Sequence, residues 1–233
     1  MSDVETFEGF PKGTFDFLRG IAKHNEKAWL DAHREDYERF YVAPARLLVE
    51  ELGPRLKKSL SKGLSFDPRV NGSLFRIQRD TRFAKDKTPY KTHLDLWLWE
   101  GQKRGWDTPG FFFRMFPDRL MIGCGIHGFE KVMLAKYRDA VIDPRRGAAL
   151  EKAIDAVRAS DAAYEIGGAT RAKVPRGFDA EHPRASLLLH EGLWAGLEGP
   201  VPKEARSAAF VDWLVAHAER FAPIHRWLGA LRG

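Results

Sequence analysis

Three runs decide the fold: L-D-L-W-L-W at residues 94–99, F-F-F-R-M-F at 111–116 and L-M-I-G-C-G-I at 120–126. In the first, Leu94, Leu96 and Leu98 oppose Asp95, Trp97 and Trp99. That is the period-two alternation of a strand. The second and third are joined by Pro117, Asp118 and Arg119, a three-residue link that reads as a hairpin. Short strands adjacent in the chain favour an antiparallel sheet over repeated strand–helix–strand units. Residues 74–78, after the turn signal Asn71-Gly72, read as a further strand, and residues 185–190 as a last one.

Helical patterns lie on both sides. Thr14 is a candidate cap for a helix carrying Phe15, Leu18 and Ile21, and Asn25 for the next. Trp29, His33, Tyr37 and Phe40 then share one face. Pro44 fits the first turn of a third helix with a Leu48, Leu52, Leu56, Leu60 stripe, in which Pro54 predicts a kink or break. After the sheet, residues 129–139 form one helical pattern. Asp143 and Pro144 open another, with Leu150, Ile154 and Val157 inside. Gly167-Gly168 reads as a break. Pro202 starts a last long helix with Phe210, Leu214, His217 and Phe221 on one face. The expectation is one α+β domain over residues 7–221, an antiparallel-rich sheet flanked by N-terminal and C-terminal helices. Residues 222–233 are a C-terminal extension, read as a packed helix end.

Composition bounds the function. The chain has 233 residues, 44% hydrophobic and 30% charged, a globular balance rather than a disordered one. Cys124 is the single cysteine, which excludes an intrachain disulfide and any multi-cysteine metal site. Residues 1–10 carry acids and lack the basic and apolar regions of a secretory leader. No apolar run approaches the length of a membrane span. A cytoplasmic protein is expected, with no membrane association and no cofactor. The net charge of +6 favours anionic partners.

The densest polar block is R-I-Q-R-D-T-R-F-A-K-D-K-T-P-Y-K-T-H at residues 76–93. Arg76, Arg79, Arg82, Lys85, Lys87 and Lys91 outweigh Asp80 and Asp86. Guanidinium forks match phosphate or carboxylate oxygens two at a time. Pro89 biases Thr88 toward extended backbone, so the block is a shaped loop. It reads either as an anion-binding pocket or as a loop pinned by internal ion pairs. A second block, K-V-P-R-G-F-D-A-E-H-P-R at 173–184, offers Arg176 and His182. The working reading places an anionic small molecule, phosphorylated or carboxylated, against Arg76, Arg79, Arg82, Lys85 and Lys91, with Arg176 and His182 closing the site. An enzyme reading makes Asp80 or His182 a proton-transfer group beside the arginines.

A nucleic-acid or protein-interaction adaptor is the third reading. There Trp97, Trp99, Trp106 and Phe111 to Phe113 supply stacking surfaces beside the basic loop, although a sheet core explains them equally well. Metal is not expected: the histidines are scattered, and His182 with Asp179 and Glu181 needs a distant partner such as His93 or Asp80. His33 and His217 lie on apolar helix faces and read as satisfied boundary histidines. Cys124 reads as a small hydrophobe, and the glycines of GCGIHG at 123–128 lack dinucleotide-motif spacing. The chain shows nothing of its oligomeric state.

The run from Arg79 to His93, with Gly9-Phe10-Pro11, Phe15, Leu18, Asn25, Trp29 and the P-R-G-F-D-A-E-H-P of residues 175–183, resembles the family called domain of unknown function 2461. The resemblance spans residues 7–221. It implies a single soluble domain and carries no established activity, substrate or cofactor.

Overall fold

The computed structural model describes residues 5–102, 104–105 and 107–232; Trp106, read above as a stacking candidate, lies outside them. The N-terminal layer is α1 (Lys12–Lys23), α2 (Lys27–Ala32), α3 (Arg34–Asp36), a π-helical turn at Tyr37–Val42 and α4 (Ala43–Ser59). A six-stranded sheet follows, made of β1 (Leu64–Ser65), β2 (Leu94–Glu100), β3 (Gly110–Met115), β4 (Arg119–Ile126), β5 (Glu165–Ala169) and β6 (His190–Pro200). Its order is β1-β2-β3-β4-β6-β5, antiparallel throughout. Between β4 and β5 lie α5 (Lys131–Ile142) and α6 (Pro144–Ser160), and α7 (Ala209–Ala230) follows β6. The α+β class and the flanking helices are therefore as the alternation predicts.

Register shows why the sheet has two unlike faces. Leu94, Leu96 and Leu98 pair with Met115, Phe113 and Phe111, which pair with Leu120, Ile122 and Cys124. All nine are buried, and α4 and α7 pack on the sheet through Leu48, Leu52 and Leu56 and through Phe210, Leu214 and Phe221. Each such side chain contributes roughly 1.5–3 kcal/mol when removed from water. Phe10 joins the two layers, 6.2 Å from Phe113 and 6.1 Å from Phe210 between ring centroids. Cys124 is fully buried here and burial pushes its thiol well up, so it is a core hydrophobe. The opposite face carries Asp95, Trp97, Phe112, Arg114, Met121, Gly123 and Gly125. The helices that contact the sheet most are α7, against β4 and β6, and α4, against β1 and β2.

Several local expectations change. Residues 74–78 form only isolated bridges, Leu74 with Leu96 and Gln78 with Tyr90. Residues 73–75 still cover the outer edge of β2, with Trp97 N donating to Ser73 O at 2.9 Å and Phe75 N to Asp95 O at 3.1 Å. Residues 185–189 are a 3₁₀ turn, and the strand begins at His190. Gly167-Gly168 lies inside β5, where the register shifts. After Pro202 comes a 3₁₀ turn at Lys203–Arg206, and α7 starts only at Ala209. That helix runs on to Ala230 with Ile224, Trp227 and Leu228 buried.

Neither predicted N-terminal cap acts as one. Pro11 precedes α1, and Asn25 instead brackets the Tyr90 peptide, donating to its carbonyl at 2.8 Å and accepting its N–H at 2.9 Å. Thr14 lies within α1 and is fully buried, its hydroxyl donating to the Phe40 carbonyl at 2.5 Å. Pro44 explains that bond. It sits four residues after Phe40 in the helical run that continues into α4, and proline has no N–H to return to that carbonyl. The π-helical turn falls at the same place, where an irregular helical hydrogen-bond pattern is a common accommodation. Pro54 does not break α4, which passes through it unbroken.

Removing the Thr14 hydroxyl therefore leaves a buried carbonyl without its donor. Thr14→Val should cost about 1–3 kcal/mol in urea unfolding, and Thr14→Ser should recover most of it. Equal stability of the three proteins would refute the bond's role.

Candidate functional site

The polar face of the sheet holds a cleft of about 480 Å³ lined by Phe75, Lys91, Asp95, Trp97, Phe112, Arg114, Met121, Gly125, His127 and Trp194. A second hollow of about 510 Å³ shares Phe75, Lys91 and Trp97 with it and adds Arg76, Gln78, Asp80 and Arg104. Strands β2, β3, β4 and β6 supply the floor, and the segment from Asn71 to Lys91 forms one wall.

At one end of the floor stands Asp95, 6% exposed. Its carboxylate meets Arg114 Nε at 2.6 Å, Lys91 Nζ at 3.0 Å and His93 Nε2 at 3.2 Å. Arg114 reaches it from the directly paired position on β3, and Lys91 and His93 reach it from the chain just before β2. Burial alone would raise the Asp95 pKa. Hydrogen bonds from His93 and Arg114, with the charges of His93 and Lys91, outweigh that and hold it well below the ordinary carboxylate range. Lys91 Nζ also lies 4.6 Å from the centroid of the Phe75 ring, and the Arg104 guanidinium 4.3 Å from it, both cation–π distances.

The rest of the floor is aromatic and flat. A Cβ added at Gly110 would come within 2.5 Å of the Trp97 ring, one at Gly123 within 2.5 Å of Phe112, and one at Gly167 within 2.0 Å of Trp194. These glycines let the rings lie directly on the backbone. Phe112 and Trp194 meet edge to face, with centroids 6.2 Å apart and planes at 87°.

The first basic block is divided by the structure. Arg76, Asp80 and Lys91 line the connected hollows. Arg79 instead pins the loop, reaching Asp86 at 2.6 Å, the Thr88 carbonyl at 3.0 Å and the Thr88 hydroxyl. Arg82 forks onto Asp80 at 2.9 and 2.7 Å. That bond, with the backbone N–H of Arg82, lowers the Asp80 pKa to about 2. Asp86 is likewise lowered to about 2, by the Thr88 backbone N–H first and then by Arg79 and the Thr88 hydroxyl. Lys85 is exposed on the same loop, next to Phe83, which is 95% exposed. Loop-pinning thus accounts for Arg79 and Arg82, and the cleft for Arg76 and Lys91.

The second block lies elsewhere. Arg176 and His182 line neither hollow. His182 accepts the Arg184 N–H at 3.0 Å, and Arg184 docks on α5 and α6 through the Val141 carbonyl at 2.8 Å and Glu151 at 3.6 Å. The two blocks do not form one composite cleft. His33 and His217 are satisfied as expected: His33 bonds the Trp29 carbonyl at 2.8 Å, and His217 meets the Tyr164 hydroxyl at 2.6 Å. Among the described residues no three His, Cys, Asp or Glu side chains group as metal ligands, and no helix is long and apolar enough to cross a membrane.

Sequence reasoning missed Asp95 and Arg114 as a charged centre, and Trp194 and His127 as lining; Trp97 and Phe112, read above as stacking candidates, do line the cleft. The available signal was Asp95 and Arg114 on the polar side of two strands otherwise reading as core.

Asp95→Asn should cost about 3 kcal/mol, because it strips Lys91 and Arg114 of their shared counter-charge and weakens the bond to His93. The pH sign follows from its lowered pKa. The unfolded chain takes up a proton near pH 4 before the folded one does, so this stabilisation is complete above about pH 4 and is lost as pH falls toward the lower folded value. Thermal melts between pH 2 and 6 should show a shallower acid decline in Asp95→Asn. An unchanged slope would contradict the assignment.

A search of the curated proteins finds no match at significance. The family model of the conserved hypothetical proteins DUF2461 matches residues 13–227, which takes in the helices, the whole sheet, the cleft and most of α7. The chain belongs to the DUF2461 family.

Proposed function

We propose that the chain binds an anionic small molecule in the cleft on the polar face of its sheet. The observation that carries this reading is the count of charges around Asp95. Lys91 and Arg114 alone outnumber that carboxylate, so the cluster keeps positive charge in excess where the cleft opens. Arg104 and Arg76 add to it from the adjoining hollow. Partly desolvated, pre-positioned donors of this kind suit phosphate or carboxylate oxygens.

Arg114 is 43% exposed at its side chain and Lys91 18%, so both retain donor capacity toward the cleft. Arg79, Arg82 and Lys85 are set aside from the ligand in this reading, because two serve the loop and the third lines neither hollow. An acid–base role for Asp80 gains little support: fixed by Arg82, it stays ionised at neutral pH and is a weak base. The cytoplasmic setting expected from the sequence supplies phosphorylated and carboxylated metabolites in abundance.

Thermal unfolding with phosphate, pyrophosphate and dicarboxylates, at fixed pH and ionic strength, tests the reading. A ligand at about 100 times its Kd should add about 2.7 kcal/mol of stability. Lys91→Met and Arg114→Met should each abolish the shift while remaining folded, and Arg82→Ala should keep it. A saturable shift that survives both cleft variants, or no saturable shift with any anion, would refute it.

A further inference from the structure

Resting on that reading, we propose that the anion is the phosphate of a mononucleotide, whose base lies on the aromatic floor beside it. The strand register supplies the ruler. Asp95, Arg114 and Met121 form one transverse row of the polar face. The next row on that face is Trp97, Phe112, Gly123 and Gly196, and the one after is Trp99, Gly110, Gly125 and Trp194. Successive same-face rows are roughly 7 Å apart, two residues of strand rise. A charged group held at Arg114 and Lys91 therefore has an aromatic platform one sugar-length away along the same strand.

The platform suits a flat heterocycle. Phe112 and Trp194 are both partly exposed and stand at 87° to one another, so one ring offers its face and the other closes the slot at its edge. The glycines beneath hold both rings against the backbone, which removes the conformational cost that flexible stacking residues incur on binding. His127 lines the same cleft near Gly125 and Trp194, and its ring nitrogens can bond the polar edge of a base. A bare phosphate would leave this floor unused. An aliphatic carboxylate would be served by several branched side chains, whereas Leu96 and Met121 are the aliphatic residues among the cleft's described lining, and the alternation of β2 turns Leu96 toward the core face.

Isothermal titration of the full chain tests this with eight probes: the four common ribonucleoside monophosphates, ribose 5-phosphate, adenosine, octanoate and a short single-stranded RNA. At least one monophosphate should bind about tenfold or more tighter than ribose 5-phosphate, in line with the worth of base stacking on an aromatic side chain. Phe112→Leu, which keeps an apolar side chain, should erase that advantage while changing ribose 5-phosphate affinity less than twofold. Equal affinity for monophosphates and ribose 5-phosphate would overturn the nucleotide inference and leave the anion reading standing. Octanoate binding more tightly than every monophosphate, or RNA binding more tightly per nucleotide, would overturn it in favour of a lipid carboxylate or a polymer. Absence of binding by every anionic probe would overturn the anion reading as well.

Discussion

The ion cluster at Asp95 is the constraint on which the candidate site depends. One carboxylate, nearly buried on β2, holds Arg114 from β3 and Lys91 and His93 from the preceding segment. A charge so placed is stable only when paired on several sides, and these pairs fix the positions of groups that would otherwise be mobile. The wall of the cleft is thereby tied to its floor. Asn25 reinforces the tie from the helical layer by bracketing the Tyr90 peptide next to Lys91. The long basic loop is thus anchored at its base by the sheet and by the helices, while its tip, with Phe83, remains in solvent.

The sheet divides its labour between faces. One carries leucine, phenylalanine and isoleucine into a core with α4 and α7, which supplies the stability of the fold. That frees the other face to hold charge and flat aromatic rings without threatening the whole. Glycine in a strand weakens it. Here the glycines at 110, 123 and 167 stand directly against the rings of Trp97, Phe112 and Trp194, where a Cβ would clash, so the loss of strand propensity is offset by ring packing.

This division explains what could be read in advance. Alternation at residues 94–99 and the hairpin after Phe116 were legible because leucine and phenylalanine repeat with period two. Strands β5 and β6 were not, since E-I-G-G-A and H-E-G-L-W-A-G-L-E-G-P look like loops when glycine is scored by propensity alone; pairing of β6 with both β4 and β5 makes them strands, and Gly167 leaves room for the Trp194 ring. Lys91, Arg76 and Asp80 were found through charge density. Asp95 and Arg114 were missed because each is a single charge in a hydrophobic run, and only the register places them side by side. Asn25 was read as a helix cap because its true partner lies 65 residues away, beyond any local pattern.

The central claim is that the Asp95 cluster leaves Arg114 and Lys91 available to an anion at the edge of an aromatic floor. The most direct measurement is an NMR titration with a ribonucleoside monophosphate, following the arginine Nε–H and tryptophan indole N–H resonances. The account predicts saturable shifts at Arg114 and at Trp194, with one common dissociation constant, and little change at Arg82. Shifts confined to Arg82 and its loop, or shifts that rise linearly without saturation, would contradict it.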